Sequence, residues 1–196
     1  MEQLINRARQ FILQPKEAWE EVKDETTTAQ NHISSYVLPL SLIPAVATFI
    51  GYGLIGYSVF GVRVHSMDWA ISQAITSIIT TLVGIFISGF VIHKLAANYH
   101  TEVSLDKAVK LVGYSYTAML VAGVFNIFPA LAVLGMLAGI YSLYVFYIGF
   151  KPMTNVTEEK SMTYFIVSIL VIIAVYILLG LIMVPIVVLF GVHSPF

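Results

Sequence analysis

With 196 residues, 58% of them hydrophobic and only 11% charged, and a mean hydropathy of +0.86, the chain carries more apolar surface than one water-soluble core can hide. Soluble domains run at roughly 25% charged residues, and small ones leave much of their surface exposed. A formal net charge of −1 removes the basic field expected of a nucleic-acid binder, and the absence of cysteine excludes disulfides, thiol catalysis and thiolate metal sites.

Residues 1–35 read as a cytoplasmic amphipathic arm and linker. Charges are mixed through residues 1–24 without a continuous apolar stretch, so a signal peptide is not expected there. Leu4, Ile5, Ala8, Phe11 and Ile12 fall on one helical face, and Pro15 restarts a second short helix whose apolar side holds Ala18, Trp19 and Val22. Trp19 is an interfacial anchor in one reading, its ring at headgroup level; in the other, the arm packs on the protein's own loops.

Crossing the hydrocarbon takes about 20 apolar residues in a helix. The domain 36–190 supplies spans at about 36–57, 69–97, 111–128, 130–150 and 164–190, with a short external tail at 191–196. Residues 111–150 are apolar almost throughout, and about 40 helical residues would measure about 60 Å, twice the hydrocarbon thickness. The run must therefore fold back, and Asn126-Ile127-Phe128-Pro129 is the natural corner, because proline lacks an amide and disfavours helix at the residue before it. The expected fold is all-α and polytopic, with five transmembrane helices.

Charge placement agrees. With the N-terminus cytoplasmic, Arg7, Arg9, Lys16, Lys23, Lys94, Lys107, Lys110, Lys151 and Lys160 gather on the cytoplasmic side and Arg63 stands on the other. A four-span arrangement would move Lys151 and Lys160 across. The orientation expected in a bacterial inner membrane is N-terminus cytoplasmic, C-terminus external.

No ionisable residue sits mid-span, which argues against an ion-coupled carboxylate site. The histidines His32, His65, His93, His100 and His193 are scattered and read as exposed loop residues, and no residue set suggests catalysis, a cofactor or a metal. The second span instead carries Ser72, Thr76, Thr80, Gly84 and Ser88 at every fourth position, with Ser77 and Thr81 alongside. Such a face suits close helix packing and interhelical hydrogen bonds, or else lines a polar conduit. Gly135 and Gly139 form a small-xxx-small contact in the fourth span, for packing within the chain or with another copy. Pro39 and Pro44 interrupt the first span, either as a harmless start or as the broken helix of a binding site.

Four stretches carry a family resemblance: Pro15-Lys16-Glu17-Ala18-Trp19; YVLPLSLIPAVATFIG from Tyr36; KAVKLVGYSYTAMLVAGVFNIFP from Lys107; and GIYSLYVFYIGFK from Gly139. In this order, with five spans, they resemble the Yip-one domain family, the Ypt/Rab-interacting membrane proteins and their bacterial relatives. The resemblance implies five spans and no catalytic residues. Eukaryotic members are associated with Rab GTPases, vesicle traffic and membrane shaping; this chain departs from them in its short arm and its lack of an Asp-Leu-Tyr-Gly-Pro motif, and looks like a bacterial member. The function expected is non-enzymatic: a protein of the lipid bilayer that binds partners, as a homo-oligomer or with another membrane protein, or that organises the membrane locally. The alternative is a transporter or channel for lipid or an uncharged small solute.

Overall fold

The computed structural model describes residues 2–59, 62–64, 66–128 and 131–189, with side chains outside 57–65, 132 and 179–189. Pro129, Ala130 and the tail 191–196 lie outside the described residues.

Among the described residues five helices are long and apolar enough to cross a membrane. The first span, Ala29–Ile55, starts well before Tyr36, because Thr28 caps it by accepting from the Asn31 amide at 3.3 Å. It passes through Pro39 and Pro44 without breaking. A wide π-turn stretch at Ile33–Val37 and another at Ile50–Ile55 flank the α-helical middle, where Pro44 removes one amide.

A feature the hydropathy pattern does not reveal follows. Strands β1 (Tyr57–Val59) and β2 (Val62–Val64) pair antiparallel, with Ser58 opposite Arg63. The β-branched residues on either side of Gly61 were the available signal.

Ser66 caps the second helix, Met67–Leu95, and one 3-10 turn, Ala96–Tyr99, extends it to His100 in the left-handed region. The third span, Leu105–Ile127, is capped by Ser104 and tightens into a 3-10 helix over Gly123–Ile127. Phe128 is then extended, as the residue before a proline should be, and the third span ends at Ile127. The fourth helix, Ala132–Thr154, stops at Asn155 with φ 52, and the fifth runs Glu158–Leu189.

The arm consists of α1 (Glu2–Leu13) and α2 (Pro15–Val22), folded against each other and onto the bundle. A buried aromatic cluster forms where they meet. Phe11 stacks on Tyr114 with ring centres 4.4 Å apart, and Trp19 meets the Phe11 ring edge-on at 4.8 Å.

Candidate functional site

The hydroxyl row of the second helix does not act as one surface. Its outer part, Thr76, Ser77 and Thr80 with Gln73, lines a cleft of about 360 Å³ whose opposite wall holds Thr48, Tyr52 and Asn126. Ser72 is exposed beside it. Two contacts define the chemistry: the Asn126 carboxamide donates to the Thr48 hydroxyl at 3.3 Å, and Thr80 donates back to its own helix at the Thr76 carbonyl, 2.7 Å away. The lining is uncharged, with carboxamides and hydroxyls, suited to a neutral polar group rather than an ion.

One turn further, at Gly84, the row changes use. A Cβ here would overlap the Tyr176 hydroxyl, so the glycine admits the fifth span's tyrosine and closes the row. At Ser88 the row is buried, at 2% exposure, on the wall of a separate apolar cavity. Among the described residues, the row is divided between a cleft and a buried wall, with the Tyr176 contact between them.

Glycines mark the close approaches of this bundle. A Cβ on Gly89 would stand 2.8 Å from the Val109 Cα and 2.9 Å from its nitrogen, so the second and third spans touch backbone to backbone. Gly123 likewise receives Pro44, and Gly51 lies against the Asn126 carbonyl. Gly135 and Gly139 differ: a Cβ on either meets nothing within 4 Å. The packing contact expected of them is not made within the described chain.

Trp19 requires a correction. It is 1% exposed, so its ring is packed inside the protein and is not presented to the headgroups. Its indole N–H donates to the Val145 carbonyl at 3.0 Å, and its six-membered ring occupies the space where Gly149 lacks a side chain. An indole whose donor is satisfied and whose faces are covered gains more from this burial than from the interface. The arm packs on the protein itself, but on the third and fourth helices rather than on loops.

Several polar residues of this junction escape a sequence reading. Glu25, at the arm's exit, takes the Arg7 guanidinium at 2.7 Å, while the buried Lys110 amine donates to the Glu25 carbonyl. The Ala29 amide donates to the Asp106 carboxylate at 2.6 Å. Outside the spans, Lys23 has its pKa raised by hydrogen bonding and attraction to Glu20. His32 was expected to be exposed; it is 2% exposed, stacked on Tyr36 and set edge-on against Tyr114, with Nε2 facing Gly113. Its position four residues into the first span, beyond Thr28, was the one available signal. The other described histidines are divided between unrelated contacts: His93 Nδ1 with the Val103 carbonyl, His100 with Lys160. No three potential metal-ligating side chains converge among the described residues.

Comparison with known proteins places this architecture. The family model described as the Yip1 domain matches residues 9–191. The Inner membrane protein YohC of Escherichia coli (strain K12) is 25% identical over 155 residues, covering 76% of this chain and 80% of that protein. Its counterpart in Escherichia coli O6:H1 matches to the same extent. No solved structure matches.

Proposed function

The chain belongs to the Yip1 domain family, and from that premise we propose that it works in the bacterial inner membrane without chemistry, by lateral association with another membrane helix. Its arm faces the cytoplasm in this reading, where the lysine-bearing loops also lie. The observation that carries it is the contrast among the glycines: Gly51, Gly84, Gly89, Gly113, Gly123 and Gly149 each admit a neighbour from this chain, whereas a Cβ on Gly135 meets nothing within 4 Å, and Gly139 one turn on borders a cavity between the spans. Gly135 is partly exposed, and on the neighbouring face of the same helix Met136 is 72% exposed, with Val133 and Ile140 exposed as well. Small residues at this spacing let a second backbone come close, which is the main source of helix association in lipid.

The test is association in vesicles, read by energy transfer between labelled copies and by cross-linking to co-purified membrane proteins. Gly135→Leu should weaken it about tenfold, the effect of overpacking a close helix contact. A monomer without partners at every protein-to-lipid ratio would contradict the reading. So would solute flux into proteoliposomes that Thr76→Leu abolishes, because the cleft would then be a conduit.

A further inference from the structure

Between the second, third, fourth and fifth spans lies a cavity of about 340 Å³. Its walls are apolar for the most part, with Met119, Phe146, Ile169 and Ile172 among them, and no charged side chain lines it. Leu143 and Ile173 border it and are exposed, so it opens sideways between the fourth and fifth spans onto the lipid-facing surface.

Hydroxyls are set into this wall, and their partners differ. Ser115 donates to the Leu111 carbonyl at 2.7 Å, and Ser142 accepts from the Met119 amide at 3.2 Å. The Ser88 hydroxyl is buried on the same wall and has no partner among the described residues. A buried hydroxyl left without a partner is destabilising, and a lipid-filled opening offers no water to satisfy it. The Ser88 hydroxyl, unlike that of Ser115, does not donate to its own helix and is left to donate to whatever enters the cavity.

Depth narrows the choice. The second span, Met67–Tyr99, is about 51 Å long with its 3-10 turn, so one centred in about 30 Å of hydrocarbon overhangs by about 11 Å at each end. Ser88 stands about 18 Å before Tyr99, hence about 8 Å inside the boundary. A carbonyl reaches that depth when it is drawn in from below the headgroups with its apolar chain. We infer that the cavity binds the apolar chain of a carbonyl-bearing lipid, entering between the fourth and fifth spans, with its carbonyl oxygen accepting from Ser88. A glycerolipid ester and a membrane quinone share this chemistry; neither need bring charge into the cavity.

The full-length protein is reconstituted in phosphatidylethanolamine–phosphatidylglycerol vesicles containing a phosphatidylglycerol with a diazirine on one acyl chain. After photolysis, labelled peptides are mapped by mass spectrometry. Labelling should concentrate around Leu143 and Ile173 over the outward-facing Met136. Ser88→Ala should lower it roughly fivefold, the worth of one hydrogen bond, and Ile173→Trp, which narrows the opening at an exposed position, should lower it at least as far. Loss of label on adding ubiquinone supports the site with a quinone as occupant, and persistence supports the glycerolipid ester. Equal labelling of Met136 and Leu143, unchanged in both variants, overturns the proposal. Association between copies, followed in the same vesicles, should be unaffected by Ser88→Ala, which separates this site from the Gly135 contact.

Discussion

Trp19→Ala is expected to release the arm from the bundle. The side chain is among the largest fully buried ones, and its removal takes away the Phe11 and Tyr114 ring contacts together with the hydrogen bond to Val145. Truncating a buried tryptophan costs about 3–5 kcal/mol. The arm keeps other ties to the bundle, with Phe11 stacked on Tyr114 and the Tyr141 hydroxyl donating to the Ile12 carbonyl at 2.7 Å, so part of that loss falls on docking and the rest on local packing. Trypsin cleavage after Lys16 and Lys23 should accelerate by about two orders of magnitude. Trp19→Phe, which keeps much of the bulk but drops the donor, should lose about 1 kcal/mol. Cleavage as slow in Trp19→Ala as in the parent would mean the arm is held by something else.

The second large effect is at Gly89. Its Cβ position falls against the Val109 Cα and nitrogen, atoms of a helix backbone that cannot rotate away as a side-chain tip would. Gly89→Leu forces the second and third spans apart along a pair whose buried residues include Ile85, Ile92, Ala108 and Val112. Overpacking of this kind costs about 1–3 kcal/mol and sometimes more, so unfolding in mixed detergent–denaturant micelles should shift to clearly lower denaturant. Even Gly89→Ala should destabilise, whereas Gly135→Ala, with open space around it, should leave monomer stability unchanged. Equal stability of Gly89→Ala and the parent would rule out the backbone contact.

These two residues also show what a linear sequence reveals of this molecule. The spans and the corner before Pro129 are legible because hydropathy, helix length and the missing proline amide are local properties. The small size of Gly89 and Gly135 is equally visible, but one is a closed contact and the other an open one. The difference lies in which helix comes to lie alongside, and no spacing rule encodes that. The same holds for the hydroxyl row. Its fourfold spacing is plain in the sequence, yet its division into a cleft, a tyrosine contact and a buried wall depends on where Asn126 and Tyr176 arrive. Trp19 had two sound destinations on composition alone, and the side-chain gap at Gly149 decided between them. His32 was misplaced because a histidine in a polar linker looks solvated until the first span is seen to begin at Ala29.

The central claim is five membrane crossings, an odd number that puts the two chain ends on opposite sides. Paired reporters fused before Met1 and after Phe196, one active only in the cytosol and one only outside it, measure this directly. The account predicts a cytosolic signal at the N-terminal fusion and an external one at the C-terminal fusion. Both fusions reporting from the same compartment would contradict it.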